Sequence, residues 1–387
     1  MQKKTSTEQV VDDNNSKAAL IMRLICIFWV MAKFISWKVW IKDRQYPLAP
    51  VFDWLNWPSL FHYILFVCSI ALIVFLVLKP FNKIILIALL ITELLSCVAD
   101  QNRWQPWEYQ YLFSIVICII NFNHPKKILA CIAFVMAATY LYSGIGKFNE
   151  GYLTLVWDNI FLKRIFKLSD ASIQQSSIHY SGYITSAMET IFAAGLLFSK
   201  TKKAAAWGMI FMHLFILYAI GPFGTNYNTV VWPWNILMML LLYFIFIKNQ
   251  SLQINMAILW QGWNKIVLIA WGILPALNYV GLWDSYLSSR LYSGGLPLMA
   301  ICLKDAADIE ELQPYLNKTD IYNLCNGQKM VNLQNWAMKE MNVPPYPEVR
   351  VYKKIEAEWP TTHPGSSAGF VYYFFVKQKQ IQRIENK

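Results

Sequence analysis

Four ionisable side chains inside apolar stretches of this sequence are of interest: Glu93, Lys147, Glu189 and His213. Charge or imidazole in hydrocarbon is costly to hold, so each marks a functional position or a polar joint between helices. Lys147 ends the run YLYSGIGK, in which Ser143, Gly144 and Gly146 let a neighbouring helix or a ligand approach the backbone closely. A lysine beside an apolar pocket binds its proton less firmly and can serve as a base near neutral pH. The alternative is that its long stem snorkels to the interface. Glu189 and His213 lie at similar depth on successive helices, which suggests a Glu–His pair, either a structural clamp or an acid–base couple. Glu93 reads equally as a hydrogen-bonded linker.

The elements that must position these groups follow from composition. Of 387 residues, 56% are apolar and only 15% charged, well below the roughly one quarter charged that is usual for soluble domains. Nine apolar stretches, at 19–36, 60–79, 82–99, 109–122, 128–148, 181–199, 204–221, 229–247 and 264–281, approach the ~20 residues that span hydrocarbon. The sequence therefore predicts an all-α polytopic bundle over 19–281, preceded by a polar tail at 1–18 and followed by a small mixed α+β domain at 282–387. Segment 37–58 mixes Trp with Lys and Pro and reads as an interfacial helix and turn. Most tryptophans near span ends, Trp37, Trp40, Trp54, Trp104, Trp107 and Trp157 among them, read as an interface belt. The net charge of +11 is scattered over loops instead of gathered in a stripe, which argues against nucleic acid as a partner.

Orientation follows from lysine and arginine. With a cytoplasmic N-terminus, the inner links carry Lys79 and Lys83, Lys126 and Lys127, Lys200, Lys202 and Lys203, then Lys248. Of the opposite links, that around 222–230 has no basic residue and that at 100–108 only Arg103, while the long 149–180 link breaks the pattern with Lys163, Arg164 and Lys167. Nine spans put the C-terminal region outside. Counting ~1.5 Å per residue from the outer span ends, Glu93, Glu189 and His213 lie about 10–14 Å deep, with Lys147 shallower. Asn235 sits just inside the eighth span, so polar groups from five spans crowd the outer half of the membrane.

The C-terminal region carries strand-like Leu298–Leu303 and Phe370–Val376, and a helix over VNLQNWAMKEM that ends at the PPYP turn. Its two cysteines, Cys302 and Cys325, are the expected disulfide if the region is exported. No Walker loop, GxGxxG, HExxH, CxxC or GxSxG is present, and the five histidines are spread over five segments, so no metal site is supported.

Two motifs carry a resemblance: DQNRWQPWEYQY at 100–111 and YLYSGIGKF at 140–148. Together they resemble the HTTM membrane domain shared with vitamin K-dependent gamma-carboxylases, over about residues 19–281. The resemblance implies a helical bundle with an exported C-terminus in a bacterial plasma membrane. It also implies quinol chemistry (menaquinol or a vitamin K-like quinol). On it, Lys147 is the general base on the quinol hydroxyl, with His213 and Glu189 orienting or stabilising the anion. Arg103, Trp104 and Trp107 then line the mouth of an outer-leaflet pocket that also takes in Glu93 and Asn235. The C-terminal domain is too short for the large substrate-gripping region of the carboxylases, and is open to a peptide or protein partner. The alternatives are a non-enzymatic membrane scaffold or accessory subunit, and a DoxX-type redox-associated subunit.

Overall fold

The structure, a computed structural model, describes residues 6–249, 251–377 and 380–384. All nine apolar stretches fold as helix. They form α1 (Ser6–Ile35), α2 (Ser59–Leu78), α3 (Lys83–Ala99), α4 (Pro106–Ile120), α5 (Pro125–Ile145), α6 (Gly182–Leu196), α7 (Lys202–Ile220), α8 (Val231–Leu242) and a helical run over 265–280. Local chemistry sets several starts. Pro106 and Pro125 occupy the first turns of α4 and α5, where a missing N–H costs nothing. The Asn82 side chain caps α3 by accepting from the Ile85 N–H at 3.2 Å. The polar segment expected as a tail instead continues α1 towards the N-terminus, since it holds no proline or glycine from residue 6 to 18 and carries an i,i+4 pair, Asp13–Lys17, at 2.6 Å.

Among the described residues, five helices are long and apolar enough to cross a membrane: Asp13–Ile35, Ser59–Leu78, Pro125–Ile145, Lys202–Ile220 and Val231–Lys248, where α8 runs on in π-helical geometry. The others are shorter, α3 with 17 residues and α4 and α6 with 15 each. Ile84, Ile87, Ile91 and Leu95 form an exposed stripe along α3, and Ile184, Met188 and Ile191 another along α6. Such apolar faces suit lipid and would be a liability in water. The middle of the bundle is α5, most of which is enclosed by its neighbours. Its end packs closely on α6: a Cβ on Gly144 would stand 2.5 Å from Thr190 Oγ1 and 2.8 Å from Thr190 N. Gly144 therefore admits a neighbouring helix, while Gly146 makes room for the Arg290 side chain.

The 37–58 corner is mostly irregular, with one helical turn at Trp37–Trp40 and a 3-10 turn at Asp53–Leu55. Trp37 and Trp54 are exposed as a belt requires, but Trp40, Trp107 and Trp157 are buried and belong to the core. The 149–180 link contains a thirteen-residue π-helix, Leu153–Ile165.

The C-terminal unit is a four-stranded antiparallel sheet, ordered β2-β1-β3-β4. Its strands are β1 (Leu298–Leu303), β2 (Lys329–Asn332), β3 (Gly369–Lys377) and β4 (Gln380–Arg383), and α9 (Leu333–Met341) and α10 (Val349–Thr362) pack with it. Cys302 in β1 is bonded to Cys325, with Cα atoms 5.3 Å apart. One face of the sheet has its own small core, with Ala300, Cys302, Leu324, Met330, Tyr373 and Phe375, whereas Trp336, Val351 and Ile355 belong to the same buried apolar cluster as Trp29 of α1 and Leu89 of α3. Asn342, in the left-handed conformation that ends α9, donates to Thr229 Oγ1 at 2.6 Å. Tyr46 of the corner meets Trp336 edge-on at 5.2 Å.

Candidate functional site

The eight residues expected at one pocket separate into two clusters on different helices. Lys147, Glu189, His213 and Asn235 come together from the end of α5 and from α6, α7 and α8. Lys147 Nζ donates to Glu189 Oε2 in an ion pair, with 13% and 7% of the two side chains exposed. The expected Glu–His pair is therefore replaced by a Lys–Glu pair. His213 instead holds Asn235 Oδ1 at 2.7 Å through Nδ1 and the Tyr140 hydroxyl at 2.6 Å through Nε2.

Hydrogen-bond direction runs along this chain. Asn235 Nδ2 donates to the Val231 carbonyl at 2.8 Å, one turn back in α8, and this fixes Oδ1 towards the imidazole. His213 must then carry its proton on Nδ1, which leaves Nε2 to accept from Tyr140. Tyr140 lies in the last turns of α5, and Lys147 in the turn just beyond its C-terminal end. The charges of Glu189 and Lys147 act on His213, and that of Glu189 acts on Tyr140. Tyr152, whose hydroxyl meets Thr185 Oγ1 at 2.7 Å, is within electrostatic reach of both charges. The arrangement is thus an ion pair beside a Tyr–His–Asn relay.

Glu93, Arg103, Trp104 and Trp107 do not line this place. Arg103 is fully buried, and all its N–H groups are committed. Nε donates to Val39 O at 2.9 Å, one terminal nitrogen to Ser96 O and Oγ at 3.0 Å each, and the other to Trp40 O at 2.9 Å and to His62 Nδ1 at 2.9 Å. It staples the corner to α2 and α3 and has no donor left for a substrate. Trp107 is buried edge-on to Trp40 at 6.3 Å, and Trp104 packs on Tyr109 at 6.3 Å.

The rest of the 100–105 motif forms a socket for the PPYP turn. Gln105 Nε2 donates to Pro344 O at 2.9 Å, and Asn102 Oδ1 accepts from Tyr346 N at 3.2 Å. Burial pushes the Asp100 carboxyl up, but the Arg44 and Arg103 guanidiniums and the Asn102 N–H outweigh it and hold the group below the usual carboxylate range.

Glu93 belongs to a network the sequence reading missed. Lys33 of α1 reaches Glu93 Oε2 at 2.8 Å and lies 3.9 Å from Glu108 Oε1, all three side chains fully buried. The ammonium stands 3.3 Å from the centre of the Trp40 ring. Ser69 donates to Glu93, and Trp29 Nε1 donates to Glu108 Oε2 at 2.7 Å. The signal was present, since Lys33 is itself an ionisable residue in an apolar stretch. A second missed cluster holds the 149–180 link: His179, buried, bonds Asp158 at 2.8 Å and Glu150 at 3.2 Å.

Among the described residues no group of three or more His, Cys, Asp and Glu side chains is disposed to hold a metal ion. No family model, curated protein or solved structure matches the chain. The class defined here is a helical protein with membrane-spanning character and a mixed C-terminal unit docked on one end of its bundle.

Proposed function

We propose that the chain is a nine-span plasma-membrane protein of HTTM-like type that carries out acid–base chemistry on a quinol. The observation that carries this reading is the convergence of Lys147–Glu189 with Tyr140–His213–Asn235, mostly buried among α5, α6, α7 and α8. The donor set fits a quinol hydroxyl, because a cation, a carboxylate and a proton relay stand together beside the apolar stripe of α6. When bound, the quinol supplies an acidic hydroxyl and an electron pair. Glu189 takes up a proton at its carboxylate, and Lys147 stays positive beside the oxygen that loses it. His213 offers a second proton station through Tyr140. Lys147 is thereby recast from free base to stabilising cation. A menaquinol analogue titrated into the detergent-solubilised protein should bind saturably, at least tenfold more weakly to Glu189→Gln. Equal binding by both forms, or partition without saturation, would sink the reading.

The orientation we propose, N-terminus inside and C-terminal unit outside, rests on the lysine-rich links and on the Cys302–Cys325 bridge, which suits an oxidising compartment. A C-terminal reporter that works only in the cytoplasm should stay silent, and both thiols should resist labelling until reduced. An active reporter, or free thiols in protein kept from reductant, would reverse the topology.

A further inference from the structure

A sizeable cavity is lined by residues other than Lys147 and its partners. It is a cleft of about 510 Å³ between the Leu153–Ile165 π-helix, the loop before α8 and the C-terminal sheet. Its volume is in the range of small-molecule sites. Its walls are aromatic and amide-rich, with Tyr292, Tyr322, Tyr373 and Asn228 among them, and the one guanidinium (Arg164) is balanced by the one carboxylate (Asp320).

Two buried acceptors on this wall have no protein donor, Asn228 Oδ1 and Asp320 Oδ1. Asn228 is 3% exposed and is held in place by its own Nδ2, which donates to the Tyr292 hydroxyl at 2.5 Å. Asp320 is anchored through its other oxygen, which accepts from Cys325 N at 2.8 Å. Both side chains are therefore fixed with one acceptor left over, a costly state for a buried group unless a donor arrives.

A ligand that suits these walls is uncharged, rich in hydroxyl donors and flat enough to lie against tyrosine rings. A phosphorylated ligand would want more than one cation. An extended peptide would want a free sheet edge, but β2, whose Met330 and Asn332 line the cleft, is already covered: Leu316 bridges Val331, and Asn317 N donates to Met330 O at 2.8 Å. We propose that the cleft binds a neutral saccharide of one or two rings, with Asn228 and Asp320 accepting its hydroxyls and the tyrosines covering its faces.

The test uses the full chain in detergent, with glucose, N-acetylglucosamine and their disaccharides as probes, read by saturation-transfer NMR and calorimetry. At least one probe should bind saturably, and Asp320→Asn and Tyr322→Leu should each weaken it at least tenfold without moving the melting temperature. Lys265→Ala, at the far end of the bundle, should leave it unchanged. If either cleft variant fails to fold, Asn228→Asp supplies the second reading. Absence of saturable binding by every probe would overturn the proposal, as would binding unaffected by the cleft variants. Binding of a short unstructured peptide in place of the sugars would overturn it in favour of a peptide site.

Discussion

Replacing Lys33 by Met should nearly abolish the folded protein. The substitution keeps most of the apolar stem but leaves Glu93 and Glu108 facing each other in a fully buried site with no cation between them. Removing one partner from a buried ion pair costs about 3–5 kcal/mol, because the remaining charge has lost both water and counter-ion. The triple variant Lys33→Met, Glu93→Gln, Glu108→Gln should recover much of the loss, since it removes the uncompensated charges instead of stranding them. Melting of each purified form in detergent, alongside its yield from the membrane fraction, checks this. A Lys33→Met protein that melts like wild type would show that the network does not hold α1 to α3 and α4.

The second large effect concerns the Lys147–Glu189 pair, and it separates two chemistries that composition could not. If Lys147 were the base, Lys147→Arg would fail, because a guanidinium does not give up its proton. With Glu189 as acceptor and Lys147 as cation, Lys147→Arg should keep a substantial fraction of the rate of quinol oxidation by an added acceptor. Glu189→Gln should lose 10²–10⁴-fold, the usual contribution of a positioned acid–base group, about 3–5 kcal/mol of barrier. Stopped-flow oxidation in detergent measures both. Should Glu189→Gln oxidise quinol at the wild-type rate, while Lys147→Ala merely unfolds, the pair would be a clamp between α5 and α6 and the enzymatic reading would fall.

Helices were legible because hydrocarbon demands long apolar runs, and each of the nine stretches shows one. The strands β1 and β3 were legible too, β3 from its β-branched and aromatic run and β1 from a short continuous apolar run. Side-chain partners were not. Depth along a span places Glu189 and His213 at one level, but it says nothing of their angle about the helix axes. That angle sends Glu189 to Lys147 and His213 to Tyr140. Arg103 misled for a related reason: it was expected at the mouth of a pocket, yet Ser96 seven residues back and Val39, Trp40 and His62, 41–64 residues back, converge on it. Lys33 escaped notice because it lies near the end of the first apolar stretch, and the neighbouring Trp40 read as part of an interface belt. The α10 helix was missed because PPYP and Pro360 punctuate its surroundings, although Pro360 lies in its last turn.

The shared core has a consequence for how the chain is made. The Asn342 amide reaches the Ile35 carbonyl across 307 positions. At synthesis rates of ~5–20 residues per second, about 15–60 s separate the emergence of the two ends of that contact. Throughout that interval α1 and the corner behind it are already in the membrane, while Tyr46 and Lys38 wait for Trp336 and Glu340. The entropy of closing so long a loop grows only with the logarithm of its length, so delay, more than cost, governs the step. A copy that stops short of Pro344 leaves the Asn102 and Gln105 side chains without their PPYP partners. Membrane quality control thereby gains a surface that distinguishes unfinished copies from finished ones.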